Sequence, residues 1–313
     1  MILRRLILRI LFSVFLLVAV AVISFSLFHL IPGDPALRLL SDEMGGAQPT
    51  EEMVEVFRRA HGFDRPYPEQ FLTFVTRAMS GDLGTSLRTG QPVAEEIAHR
   101  LGQTLQLASA SLALTLVLSL GLGFATALRP QARFDRIVRW WTSLMLATPG
   151  FWLALVLLLV FSLHLGWLPV AGYGTPAHIV MPSVVAALVS SGLCIRFVRD
   201  RVRQTLQLPH LQTARMKGLS PAQVFLGHAL PFALPALIAL FGLQAARMID
   251  SLIVIETVFG WPGLGSYIAE AVMGRDLPAM QASLMTAAGV YILLGLLSDI
   301  LIVLVDPRAE AVL

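Results

Sequence analysis

The chain has 313 residues, a formal net charge of +3, 56% hydrophobic residues and only 14% charged ones, with a mean hydropathy of +0.74. Soluble domains carry about a quarter of their residues as Asp, Glu, Lys and Arg. A soluble enzyme or a nucleic-acid binder is therefore excluded, and an integral membrane protein is expected. The single cysteine, Cys194, rules out an internal disulfide and a Cys-based zinc cluster.

A membrane helix needs roughly 20 mostly apolar residues. Windows of that kind lie near 6–30, 104–128, 141–167, 179–198, 232–259 and 282–305, which predicts an all-α membrane protein with six spans. The first window is too long for a signal-peptide core, and no small-x-small cleavage site precedes Pro32, so it is expected to stay as a span. Arg4, Arg5 and Arg9, then Arg129, Arg133, Arg136 and Arg139, then the run from Arg196 to Lys217, and finally Arg308 fall on one side. The basic residues of the other side sit mostly in one long segment. By the positive-inside rule both termini are expected in the cytoplasm.

Three parts are expected: 1–31 as N-terminus and first span, 32–103 as a helical segment on the outer side, and 104–313 as the remaining spans. In the outer segment Thr50 can cap a helix that opens with Glu51-Glu52, with Met53, Val54, Phe57 and Ala60 on a helical period. Short helices are also predicted at 68–79 and 92–101, with Gly81-Asp82-Leu83-Gly84-Thr85-Ser86 as a turn between them.

The chain holds no Gly-x-x-x-x-Gly-Lys-Ser/Thr loop, so it cannot cradle ATP phosphates itself, and no His-Glu-x-x-His or Gly-x-Ser-x-Gly motif. Its seven histidines include no pair at i, i+3 or i, i+4, and no catalytic, cofactor or metal site is predicted. Among the ionisable residues within spans, Arg247, Asp250 and Asp299 stand out as functional candidates. Arg247 and Asp250, three apart on one helix, are expected to neutralise each other as a structural pair; lining a polar pathway is the alternative. Asp250 and Asp299 formally satisfy an intramembrane aspartyl protease, but no supporting motif surrounds either, and a membrane-embedded enzyme remains the remote alternative. An ion-coupled carrier is disfavoured by the absence of an internal repeat.

The loop from about 204 to 231 is the most specified stretch. Arg215 and Lys217 suit the last turn of a helix, and Gly218 suits a left-handed stop. Ser220, Pro221 and Gln223 then form a capping box with proline in the first helical position. A plain surface hairpin would not need two specified ends, and a DNA-binding helix-turn-helix would need a basic recognition helix that is absent.

With Ala214 before Gly218 and Leu230-Pro231 after it, this loop resembles the EAA loop of permease subunits of ATP-binding cassette importers. Thr213-Ala214-Arg215-Met216-Lys217-Gly218-Leu219 is similar to the version in the dipeptide/oligopeptide/nickel permease family. Pro32-Gly33-Asp34-Pro35, Gly62-Phe63-Asp64-Arg65-Pro66, Thr148-Pro149-Gly150-Phe151-Trp152, the run from Glu256 to Gly265 and Asp306-Pro307-Arg308 extend the likeness in order along the chain. Gln212 replaces the usual acidic residue at the start of the loop, and His228 an aliphatic one.

The resemblance implies a type I ABC importer permease fold and half of a translocation pathway, in the first of two paired permeases. It implies a second, homologous permease as heterodimer partner, two cytoplasmic ATPase subunits that bind ATP and magnesium, and a periplasmic or lipid-anchored substrate-binding protein. Gln212, Ala214, Gly218, Ser220, Leu230 and Pro231 would shape the ATPase-coupling loop. Trp261 and Pro262 would face the binding protein as a wedge, or anchor at the membrane interface. Di- and oligopeptides are the expected cargo, with nickel, nickel chelates, glutathione or another small solute as alternatives.

Overall fold

The computed structural model describes residues 2–30, 34–60, 62–130 and 132–305, and every regular element among them is helical. Five of these helices are long and apolar enough to cross a membrane, or six spans result if one bent helix pair counts as a single span. By packing the chain divides into two units, Met1–Gln103 with Ser266–Val290 and Thr104–Gly265 with Tyr291–Leu313.

The first unit contains α1 (Ile2–Leu30), α2 (Pro35–Glu43), α3 (Glu51–Ala60), α4 (Tyr67–Met79) and the opening turns of α5 (Val93–Leu128). It also contains most of α12 (Leu264–Met273) and the start of α13 (Leu277–Val305). Helix α3 begins as its sequence predicts: Thr50 Oγ1 accepts from Met53 N at 3.4 Å, with Glu51 and Glu52 in the first turn and Arg58 and Arg59 in the last. Ala36, Leu40 and Val54 bury the contact between α2 and α3, with Phe57 and Phe63 packed on it. Asp34 Oδ1 caps α2 by accepting from Ala36 N at 3.0 Å, and Arg58 pairs with Oδ2. Burial pushes the Asp34 carboxyl up, but the Arg58 guanidinium and the Ala36 N–H outweigh it and hold it below its ordinary value.

The short helix expected at 92–101 is not a separate element. Val93–Leu128 is one continuous helix: Gly102, a possible stop, keeps helical backbone, and no proline lies near it. Its opening turns carry Arg100, which pairs with Glu96 at 2.7 Å and with Glu270 at 3.3 Å and lies 5.3 Å from the Tyr267 ring centroid. Burial first, and then the carboxylates of Asp276 and Glu96, push the Tyr267 phenol up to about 12. Asp276 accepts from Leu87 N at 3.3 Å and from Ala279 N at 3.3 Å, so it ties the 81–92 turn to the start of α13.

The second unit is the larger helical body: most of α5, α6 (Arg133–Ala147), α7 (Gly150–Leu157) running on as a π-helical turn to His164, and α8 (Pro176–Leu206). After them come α9 (Pro209–Met216), α10 (Pro221–Val224), a π-helical turn over Phe225–Ala229, and α11 (Leu230–Phe259). Here the expected straight span over 141–167 is corrected. Arg133–Ala147 and Gly150–His164 are two helices bent by 105°. The cause is local. Thr148 precedes a proline and is driven out of the helical region to φ −89°, ψ 122°, while its N–H and Oγ1 still donate to Leu144 O.

With no hydrophobic force between helices in lipid, close approach through small residues holds such a bundle. At Gly123 a Cβ would sit 2.6 Å from Val198 Cγ1, so α5 meets α8 closely only because the side chain is absent. One core forms around Leu107, Ala154, Met181, Val185, Met248, Leu252, Phe259 and Trp261, and a second around Val198, Val202, Leu211, Val224, Phe225 and Leu237.

Candidate functional site

Three arrangements in the second unit draw the residues singled out in the sequence into a geometry. The first is the hairpin formed by α9 and α10. Pro209 starts α9 in its first turn, and Gly218 ends it with φ +83°. Gly218 N donates to Arg215 O at 3.0 Å and Leu219 N to Ala214 O at 3.4 Å, the paired bonds of a left-handed helix stop. Ser220 Oγ accepts from Gln223 N at 3.3 Å, and Gln223 Oε1 accepts from Ser220 N at 2.9 Å. The capping box read from the sequence is thus present, and α10 then runs through Phe225–Ala229 into α11, giving one long apolar helical stretch over Pro221–Phe259.

The hairpin is bolted to the membrane helices along its inner face. Leu211 is wholly buried, Ala214 and Val224 are buried beside Val198 and Val202 of α8, and Phe225 meets Phe124 of α5 edge-on at 5.3 Å. The outer face is exposed. Gln212, Arg215, Lys217, Gly218, Ser220 and His228 all lie on it, and the apolar side chains of Met216 and Leu226 are 80% and 61% exposed. Leu230 is half-buried and Pro231 exposed at the start of α11. Of the loop candidates Ala214 is buried in the body and Leu230 packs against the same core; Gln212 reaches back to Gln207 O at 3.4 Å and so braces α9 against the end of α8.

One contact that sequence reasoning missed supports the base of this hairpin. Asp135 on α6 is 1% exposed and takes a two-pronged bond from Arg199 of α8, Nε to Oδ1 at 2.7 Å and Nη2 to Oδ2 at 3.0 Å. Arg139 adds a longer contact at 3.4 Å, and Asp200 takes the remaining Arg199 nitrogen at 2.8 Å. Asp135 is one of the few acids within a basic flank, which was the available signal.

The second arrangement is on α11. Arg247 and Asp250 are both exposed, and among the described residues neither has an ion-pair or hydrogen-bond partner. The expected mutual neutralisation is therefore not made: the side chains share a face and stay apart. Asp299 lies half-buried on α13.

The third is a knot at the end of α11. Trp261 is 1% exposed, packed edge-on against Tyr173 at 4.9 Å, and its N–H donates to Glu256 O at 2.8 Å. The expectation that Trp261 forms a surface wedge or an interfacial anchor is overturned, because its indole is core; Pro262 is half-buried beside it. Glu256, which sequence reasoning quoted only as part of a motif, is wholly buried. Thr104 Oγ1 donates to its Oε1 at 2.7 Å and accepts from Leu264 N at 2.7 Å. The turn closes over this carboxylate: a Cβ on Gly263 would lie 2.3 Å from Glu256 Cδ.

Comparison with known proteins fits this architecture. Residues 101–311 match the family described as binding-protein-dependent transport system inner membrane component, and residues 2–108 match its N-terminal companion family. The glutathione transport system permease protein GsiC of Pectobacterium atrosepticum is 35% identical over 93% of this chain and 94% of its own length. The dipeptide transport system permease protein DppB of Alkalihalophilus pseudofirmus is 29% identical over 96% of this chain and 98% of its own. A chain of the inward-facing MetNI methionine ABC transporter shares the fold, with a TM-score of 0.57 at 20% identity over 67% of this chain and 96% of that one. A helical, multi-pass body with a capped hairpin between α8 and α11, matched along nearly its whole length in this way, belongs to the binding-protein-dependent inner-membrane components: the chain is a permease subunit of an ABC importer.

Proposed function

We propose that this chain forms half of a translocation pathway with a second, related permease, and that two ATPase subunits dock on the exposed face of the α9–α10 hairpin. The observation that carries the reading is the build of the hairpin. Its ends are fixed by a left-handed stop and a capping box, its inner face is packed on α5 and α8, and its outer face offers Met216 and Leu226. An element so held moves with the helices it is packed on, which suits the conversion of ATPase closure into rotation of those spans. The chain carries no phosphate-binding loop, so ATP and magnesium belong to the partners.

The Arg-rich flanks favour a cytoplasmic hairpin and cytoplasmic termini, an orientation in which the segment from α2 to α4 faces a substrate-binding protein on the outer side. The relatives named for dipeptide and glutathione transport favour a small peptide cargo, glutathione being itself a tripeptide. The test is isolation of the tagged chain in mild detergent from its native membrane. A second permease and ATPase subunits should co-purify, and the reconstituted complex should accumulate trialanine or glutathione only with ATP inside the hairpin-side compartment and binding protein on the other side. A chain that purifies without any ATPase, or that transports without ATP, overturns the reading.

A further inference from the structure

Arg247 and Asp250 make no ion pair or hydrogen bond among the described residues. Both lie well inside the long apolar helix α11: Arg247 is about 18 Å from its Phe259 end and about 26 Å from its Leu230 end at 1.5 Å per residue. They belong to an exposed stripe that follows the helical period, Ala239, Leu243, Arg247, Asp250, Val254 and Thr257. The opposite face, with Leu237, Met248, Leu252, Ile255 and Phe259, is buried against the second unit's own cores. Charged side chains do not face hydrocarbon at that depth; they turn to protein or to a water-filled cavity. Among the described residues neither side chain has an ion-pair or hydrogen-bond partner, so the stripe presents two uncompensated charges.

We propose that Arg247 and Asp250 are specificity-determining contacts for a zwitterionic peptide in the translocation pathway, Arg247 meeting its terminal carboxylate and Asp250 its terminal ammonium. The inference rests on the permease reading of the preceding section. Two opposite charges one helical turn apart, on a face otherwise aliphatic, present a donor fork that fits a carboxylate in two bonds and an acceptor that fits an ammonium. Side chains that are free in the empty pathway form these contacts only when cargo arrives, and a transporter needs contacts strong enough to admit its solute and weak enough to release it.

The experiment uses the complete complex in proteoliposomes with its own binding protein and three probes: trialanine, trialanine amide and N-acetyl-trialanine. The same binding protein serves every variant, so a change in the ratio of probe uptake originates in the permease. Arg247→Gln should lower the preference for trialanine over its amide about tenfold or more, the scale of a lost charge-assisted bond, without changing the preference over the N-acetyl form. Asp250→Asn should do the reverse. The second permease and the ATPase subunits should be recovered with each variant as with the wild type.

Unchanged ratios in both variants overturn the proposal. Equal loss of all three probes with loss of the second permease from the complex also overturns it, and makes the stripe a subunit contact instead. A wild-type complex whose ATPase responds to the binding protein but which accumulates none of the probes overturns the peptide assignment and leaves the permease reading standing. A chain that recruits no ATPase at all defeats that reading first.

Discussion

At the scale of single residues, Gly218 and Asp135 carry separate duties near the hairpin. Gly218 holds φ +83° with open space around it, so its constraint is purely conformational. A β-branched side chain there costs roughly 1–2 kcal/mol or more. Gly218→Val should leave membrane insertion intact but reduce ATPase recovery and abolish uptake, whereas Gly218→Asn, more tolerant of left-handed backbone, should retain part of both. Asp135 answers to a different physics. Stranding one member of a buried pair costs about 3–5 kcal/mol, while removing both members together costs far less. Arg139 and Asp200 give each partner a fallback, so Asp135→Asn and Arg199→Gln should each fall at the low end of that range in thermal unfolding, and the combined Asp135→Leu, Arg199→Met variant should unfold later than either. Glu256 is the third case. Glu256→Ala leaves Thr104 Oγ1 without its acceptor and empties the space beneath the turn at Gly263, and should lower thermal stability by about 1–3 kcal/mol, with Glu256→Gln milder because one oxygen remains.

At the scale of elements, the hairpin acts through two faces that should be separable. Phe225 is under the hairpin against Phe124 and has no part in the exposed face. Phe225→Ala opens a cavity worth roughly 3 kcal/mol locally. It should let ATPases dock but loosen the joint, so that more ATP is hydrolysed per solute carried; an unchanged ratio would show that the joint is not the transmitting contact. The caps of this hairpin were legible in sequence because they depend on neighbours three residues away, as Ser220 and Gln223 do. The break at Thr148 was present in the letters too, yet an apolar window averages over a single proline and returns one straight span. The contacts of Asp135 with Arg199, and of Thr104 with Glu256, join residues 64 and 152 positions apart. No local pattern announces such pairs, which arise only once α6 lies on α8 and α5 on α11. Trp261 misled for the same reason: its chemistry suits an interface, but its burial is decided by Tyr173 arriving from a distant loop.

At the scale of the whole molecule, the account depends on sidedness and on what meets the hairpin. Ser86, within the turn before α5, is buried against Asp276 and makes a poor reporter, whereas Ser80 and Met216 are exposed. In a Cys194→Ala background, an impermeant maleimide added to intact cells should label Ser80→Cys and spare Met216→Cys. The measurement that bears most directly on the central claim uses the same Met216→Cys chain in the assembled complex. A benzophenone maleimide attached to this cysteine should, on illumination, insert into a C–H bond of an ATPase subunit and yield a permease–ATPase adduct, and Gly218→Val should remove that adduct. An intact, ATP-hydrolysing complex in which Met216→Cys never joins the ATPase would contradict the assignment of this hairpin as the coupling element.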